Sequence, residues 1–442
     1  MLRGSFFEMA GYGGQQVLRL GSNLILTRLL FPAAFGLAST AMTLMMGVVM
    51  ISDLALCPCV VQSKRGDDPR FLNTAFTIQV VRGFGLALVM LLLAKPAGWI
   101  YRTPGLTPLV ALGSLQLVFN GLHSTSIFTL RRELRLGWVN GLEFAQSAIA
   151  IPLTVVLAWI YRSPWTLITG GVVGSACFAL ASHFLPVPYR NRFQWDKEAA
   201  HEIRQFSRWV LGSSTATFLG GQSDRILLPR LLGMAWMGIY NVAANLGDAA
   251  SAVVGRVISG VLYPVLSEAT RAERPDFADF YYRLRLRLDI VSMSITGFLS
   301  GVGGWIILAC WDERYAEAAW IFQLLCVRAA FWLWVSPGEA LLLSAGRTRY
   351  GFYRSGTRLA AAVVLMPLGY HFGGVHGLMA GIVATEATTL IAIWPKLRAM
   401  KVLRIRRELI AVGIFAVACL AGLAVRRVLP AVNLRALYHR WA

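Results

Sequence analysis

Asn241, Asn245 and Asp248 recur at i, i+4 and i+7, which sets three polar side chains on one face of a helix inside an apolar run. Ala252, Arg256 and Ser259 continue that face, with Arg256 about 12 Å along the axis from Asp248. Amides and a carboxylate in this pattern suit hydroxyl-rich ligands. Arginine suits oxyanions, because its fork makes paired charge-assisted hydrogen bonds and stays ionised. Other polar residues interrupt apolar runs in the same way. Arg19 lies between Gln15 and Ser22, Arg82 stands alone, and Asp224 and Arg225 follow Ser214, Thr217 and Gly221. The candidate binding set is therefore Arg19, Arg82, Asp224, Arg225, Asn241, Asn245, Asp248 and Arg256, with no catalytic or metal-ligating residue in it. A plainer reading stands beside each: the arginines neutralise Asp224, Asp248 or Glu143 within a helix bundle. Arg28 and Arg230 read as snorkelling span ends. Glu143 and Glu386 read as packing partners, and Arg328 and Glu339 as bundle-stabilising charges on one face. His123, near Gln116 and Asn120, reads as hydrogen-bonded structure.

The elements that would position these residues follow from composition. Of 442 residues, 56% are hydrophobic and 14% charged, and the mean hydropathy is +0.58. Soluble domains carry about a quarter charged residues, so this chain needs lipid as solvent. Windows of about 20 apolar residues predict spans near 12–30, 35–60, 72–94, 106–130, 138–161 and 165–185. A polar segment, 186–207, follows, then spans near 209–232, 237–265, 288–310, 320–345, 358–372, 375–394 and 409–425.

The formal net charge of +20 does not point to nucleic acid, because the basic residues lie in short clusters between apolar runs. Alternate loops are the basic ones: Lys64, Arg65 and Arg70; Arg131, Arg132 and Arg135; Arg190 to Arg208; Arg271 to Arg287; Arg347 to Arg358; and Lys396 to Arg407. The positive-inside rule sets these loops and the N-terminus on the cytoplasmic side. Thirteen spans would then leave Arg426, Arg427, Arg435 and Arg440 outside. The six cysteines sit in or beside apolar runs and suggest no disulfide framework; Cys57-Pro58-Cys59 reads as small packing residues rather than a soft-metal pair. The start of the chain shows no signal-peptide cleavage pattern.

An internal repeat organises the spans. Leu26-Thr27-Arg28-Leu29-Leu30 matches Leu228-Pro229-Arg230-Leu231-Leu232, and Ala33, Gly36, Ala41 and Leu44 match Ala235, Gly238, Ala243 and Leu246, all at an offset of 202 residues. Six spans separate the copies, so they share one orientation, as in parallel-repeat transporters. The expected organisation is a six-helix lobe over 1–185, a cytoplasmic linker over 186–208, a second six-helix lobe over 209–394, and a basic loop, extra helix and tail over 395–442.

Several segments, in this order and spacing, resemble a known family: Leu26 to Leu37, Asn73-Thr74-Ala75-Phe76-Thr77, Leu130 to Leu134, Ser223 to Leu228, Gly238 to Ala243, and Tyr263 to Ser267. The chain resembles the polysaccharide transporter (oligosaccharide flippase) family of the multidrug/oligosaccharidyl-lipid/polysaccharide exporter superfamily. The resemblance implies an all-α integral membrane protein of two six-helix lobes in a V-shaped exporter fold, with about 12–14 transmembrane helices. It implies a cavity lined by the first, second, seventh and eighth helices. It further implies alternating-access flipping of an undecaprenyl-diphosphate-linked oligosaccharide across a bacterial inner membrane, for exopolysaccharide, capsule or O-antigen synthesis. Arg19, Arg82 and Arg256 would hold the diphosphate, and Asn241, Asn245 and Asp248 the sugar hydroxyls. No bond changes in such a step, so no enzyme activity and no cofactor is expected, apart from a coupling ion such as Na+ or H+. The partners would be the lipid-linked oligosaccharide, membrane lipid, and a glycan polymerase and sugar transferases. A drug or cation exporter of the same superfamily is the nearest alternative, and a membrane glycan polymerase or ligase a more distant one.

Overall fold

A computed structural model describes residues 14, 18–272, 274–347 and 350–429, and every regular element among them is helical. In chain order these are α1 (18–29), α2 (Pro32–Ile51), α3 (Leu56–Gln62), α4 (Pro69–Ile100), α5 (Leu106–Leu122), α6 (Ser126–Arg132), α7 (Leu136–Tyr161), α8 (Trp165–Ser182), α9 (Lys197–Gly221), α10 (Ser223–Leu232), α11 (Met234–Val257), α12 (Tyr263–Arg271), α13 (Phe277–Cys310), α14 (Ala318–Ser344), α15 (Tyr350–Ala387), α16 (Thr389–Ala399) and α17 (Ile405–Val428). A five-residue π-helical segment, Ile258–Leu262, joins α11 to α12. Among the described residues nine helices are long and apolar enough to cross a membrane, or up to ten with the bent pair α5 and α6 as one span. This is fewer than the thirteen expected spans, for identifiable reasons. Part of 12–30 lies outside the described residues. The stretch Tyr350–Ala399 counts once but turns at Gly373 and Gly374, where Gly374 adopts φ 54°. The helices α9 and α10 carry Arg208, Asp224, Arg225 and Arg230, which lower their hydropathy. The chain is a multi-pass membrane protein.

The chain divides into two compact units. The first comprises the described residues up to Phe218 together with Leu228–Gly238. Its core is built by α2, α4, α5 and α8 around Ala41, Met90, Leu106 and Ile168, each almost fully buried. Asp68 caps α4 by accepting from the Arg70 backbone N–H at 2.9 Å, with Pro69 in the first turn. Within this unit the repeat copies meet. A Cβ added to Gly36 would lie 1.8 Å from the Met234 carbonyl oxygen, and one added to Gly238 would lie 1.8 Å from that of Pro32. The same 202-residue offset relates both glycines and both carbonyl residues, so each copy supplies the other with an identical close backbone approach.

The linker is strapped to this unit. Residues 187–196 have no regular structure, and from 192 to 196 every second backbone N–H is taken by a side chain of α4. Arg192 donates to Asn73 Oδ1 at 3.0 Å, Gln194 to Thr77 Oγ1 at 3.1 Å, and Asp196 to Thr74 Oγ1 at 3.0 Å. Asn73 Nδ2 also donates to Gln194 Oε1 at 3.1 Å. The Asn73-to-Thr77 segment that contributes to the family resemblance is thus a docking ledge for extended chain, whose alternate N–H groups face one side. Arg65 closes the strap, bridging Asp196 at 2.8 Å and Asp68 at 3.1 Å.

The second unit comprises Leu219–Leu227 and the described residues from Ile239 on. A buried ionic knot ties α17 into it. Arg285, 1% exposed, donates to Glu408 at 2.8 Å, to Asp289 at 3.2 Å, to Tyr281 Oη at 2.9 Å and to the Trp334 carbonyl at 2.9 Å. Glu408 also accepts from Tyr282 Oη and Trp334 Nε1, each at 2.8 Å.

Two outcomes follow. Gly238→Ala forces the Pro32 backbone away and lowers stability by about 1–3 kcal/mol. Gly85→Ala, whose Cβ would meet nothing within 4 Å, gains up to about 1 kcal/mol from helix propensity. Thermal unfolding in detergent distinguishes them, and equal melting would refute the close approach. The second concerns Asp196, whose carboxyl the Arg65 hydrogen bond holds below the usual carboxylate range. A depressed folded value means the tie is complete above the ordinary carboxylate pKa and disappears as pH falls through the folded value. Hydrogen-exchange protection in 187–196, taken relative to the intrinsic exchange rate at each pH, stays flat from pH 7 to about 5 and falls below about pH 4. A loss of protection already present near pH 6 would exclude Asp196 as the controlling group.

Candidate functional site

Residues of the second unit on four helices bring charge to one place. The Asp224 side chain is 5% exposed and accepts from Arg328 Nη1 at 2.6 Å and from the Tyr240 hydroxyl. Arg328 Nη1 also donates to Tyr240 Oη at 3.1 Å. The other arm of the same guanidinium, Nη2, reaches Asp248 Oδ1 at 3.3 Å. Asp248 Oδ2 accepts from Arg225 Nη2 at 2.8 Å. Asp224 and Arg225 open α10, Tyr240 and Asp248 lie two turns apart on α11, and Arg328 comes from the middle of α14. Beyond them on α15, Arg358 bonds the buried Glu386 at 3.1 Å, and Arg354 links Glu386 at 3.9 Å to Glu339 of α14.

Six of these groups line a cavity of about 280 Å³. They are Asp224, Arg225, Asp248, Arg328, Arg358 and Glu386, and Gln222, Ser251 and Trp332 are among the other lining residues. Three arginines face three carboxylates, but the carboxylates differ in their surroundings. Asp224 and Glu386 are buried, whereas the Asp248 side chain is 50% exposed. The arrangement can hold an oxyanion against the arginine arms, or a cation against Asp248.

Three of the eight expected residues, Asp224, Arg225 and Asp248, come together here. Asn241 and Asn245 lie half-buried on the same helix without lining this cavity, and Arg256, one turn past Ala252, is exposed. Arg82 belongs to the first unit. Its guanidinium donates to the carbonyls of Val49 at 2.7 Å and Ser52 at 2.9 Å and to Ser52 Oγ at 3.1 Å, where α2 breaks before α3. Arg19 is an exposed residue of α1 in the same unit. Sequence reasoning did not place Arg328, Tyr240, Arg358 or Glu386 in the site. The signal for Arg328 was available: its proposed same-face companion Glu339 is eleven residues on, about 16 Å along the axis, too far to neutralise it.

With this geometry in hand, a sequence profile described as "Polysaccharide biosynthesis protein" matches residues 25–319. The chain belongs to that family. The lipopolysaccharide biosynthesis protein WzxC of Escherichia coli (strain K12) is 22% identical over 371 residues, which cover 83% of this chain and 74% of that protein. The succinoglycan biosynthesis transport protein ExoT of Rhizobium meliloti (strain 1021) is 24% identical over 55% of this chain and 49% of its own length. The teichuronic acid biosynthesis protein TuaB of Bacillus subtilis (strain 168) is 22% identical over 64% and 59%. Among solved structures, the inward closed conformation of the lipid II flippase MurJ superposes with a TM-score of 0.74 at 12% identity, covering 98% of this chain and 99% of that one. An inward-facing multidrug resistance MATE family transporter of the MOP superfamily gives 0.68 at 10% identity over 88% and 95%. The fold of this polysaccharide biosynthesis family member is that exporter fold, and the recognition made from its motifs holds.

The site predicts an asymmetry between its two ion pairs. Arg328→Ala strands Asp224 in a buried setting and destabilises by about 3–5 kcal/mol. Arg225→Ala removes a partner from a half-exposed carboxylate and costs about 1 kcal/mol or less. Thermal unfolding of both variants in detergent checks this, and coincident transitions would contradict it.

Proposed function

We propose that this chain flips a lipid-linked oligosaccharide, carried on undecaprenyl diphosphate, from the inner to the outer leaflet of a bacterial inner membrane by alternating access. The product would feed exopolysaccharide, capsule or lipopolysaccharide assembly. The observation that carries the reading is the cavity where Arg225, Arg328 and Arg358 converge, in a member of a polysaccharide biosynthesis family. A diphosphate crossing about 30 Å of hydrocarbon needs fixed cations that remain charged there, and arginine is the side chain that does so. At about 280 Å³ the cavity sits at the lower edge of small-molecule sites. It suits a diphosphate and leaves the glycan to the surfaces around it. The names of WzxC, ExoT and TuaB, all of polysaccharide or lipopolysaccharide biosynthesis, support the substrate class.

The cytoplasmic N-terminus is part of the same reading. Its support is that basic loops gather in each unit. In the first, Arg132 donates to the carbonyls of Val60, Val61 and Ser63, and Arg65 joins Asp196. In the second, Arg404 and Arg407 join Asp279. Loops of this kind are retained on the cytoplasmic side.

Cation export is the competing activity, because a half-exposed Asp248 could face a cation. A strain deleted for its own flippase separates the two. Expression of this chain restores glycan at the cell surface, Arg225→Ala reduces it at least tenfold at unchanged protein level, and Arg225→Lys falls between. Resistance to cationic dyes stays unchanged. Dye efflux without glycan export would overturn the proposal.

A further inference from the structure

We infer that Asp248 is a built-in competitor for the substrate's diphosphate: it occupies the two arginines when the site is empty and is displaced when the site fills. The inference rests on the anion-binding reading of this cavity.

The case begins with the two carboxylates that share Arg328. Asp224 is enclosed, and three donors, the Arg328 guanidinium, the Tyr240 hydroxyl and the Arg225 backbone N–H, hold it. It cannot leave without stranding a charge. Asp248 is half exposed, lines the cavity, and has one oxygen on each arginine, Oδ1 on Arg328 and Oδ2 on Arg225. Two oxygens on one atom, bridging two guanidinium groups, is also how a phosphate would bind there. The Asp248 carboxylate therefore has the contacts an incoming phosphoryl group requires, and the two cannot be made together.

Arg328 does not depend on Asp248 for its position. Its Nη1 arm stays on Asp224 and Tyr240, so the Nη2 arm remains aimed at the cavity when Asp248 swings away. Half-exposed ion pairs break easily and buried ones do not, which fixes the order of exchange: Asp248 yields and Asp224 stays. After exchange Asp248 remains charged beside the bound anion, with Arg358 and Glu386 as the other charged groups on the wall. Its repulsion limits affinity and favours release. A carrier that must let go of its cargo on every cycle gains turnover from such a limit, because ground-state binding that is too tight slows the step that follows.

The experiment uses the full chain purified in detergent, titrated with inorganic pyrophosphate and, separately, with farnesyl diphosphate, with farnesol as the uncharged control. Asp248→Asn keeps shape and one acceptor but removes the competing charge, and Asp248→Ala removes the charge and the acceptor together. Both variants should bind each diphosphate about tenfold more tightly than the parent chain while exporting glycan more slowly in cells. Arg225→Ala should weaken binding in either background. If the parent chain binds diphosphate and neither Asp248 variant binds it more tightly, the competitor role is wrong and the anion site stands. If no protein binds pyrophosphate or farnesyl diphosphate, the anion reading of the cavity fails and the competitor role with it. Tighter binding of farnesyl diphosphate alone would assign the exchange to the lipid-linked ligand rather than to free phosphate.

Discussion

An ion without a partner in hydrocarbon surroundings costs several kcal/mol, so a charged residue in a spanning helix decides which helix must lie beside it. In the second unit this constraint joins α10, α11 and α14 through Asp224, Tyr240 and Arg328. It joins α14 to α15 through Glu339, Arg354 and Glu386, and α13 to α17 through Arg285 and Glu408. Apolar packing fills the spaces between, but lipid competes for apolar contact with equal strength. Specific neighbours are selected by charge and, in the first unit, by the reciprocal backbone approach at Gly36 and Gly238.

The same constraint that holds the second unit together produces its candidate site. Pairs that are fully enclosed act as structure, as with Arg285 and Glu408, whose side chains are both almost fully buried. Pairs with one exposed member act as sites, because the exposed member can be exchanged for a ligand without unfolding its surroundings. Arg328 belongs to both classes at once, with one arm fixed and one arm available, and that division makes the cavity both rigid and usable.

Much of this was legible in the sequence. Apolar run length located most of the spans, alternation of basic loops gave their sidedness as an expectation, and the matched residues around Arg28 and Arg230 located the copies that meet at Gly36 and Gly238. The polar stripe on α11 led to Asp248, and the Ser223-to-Leu228 segment to Asp224 and Arg225. The remaining members escaped because they are defined by contacts between helices distant in sequence. Arg328 lies 104 residues from Asp224, and no periodicity within one helix can report such a pairing. Arg82 shows a related limit. A lone arginine in an apolar run resembles a ligand residue, and the sequence does not report that the break between α2 and α3 exposes carbonyls its guanidinium bonds.

The separation of Asp224 from Arg328 has a consequence for how the chain is made. Ribosomes add about 5–20 residues each second, so Asp224 is synthesised about 5–20 s before the arginine that neutralises it. The Arg225 backbone N–H stands beside it at once, and Tyr240 follows after only 16 residues. Until α14 is inserted, these two neutral donors are the native hydrogen bonds that hold the carboxylate. The half-made chain at that stage carries a buried carboxylate without the arginine that neutralises it, a cost that the finished bundle removes.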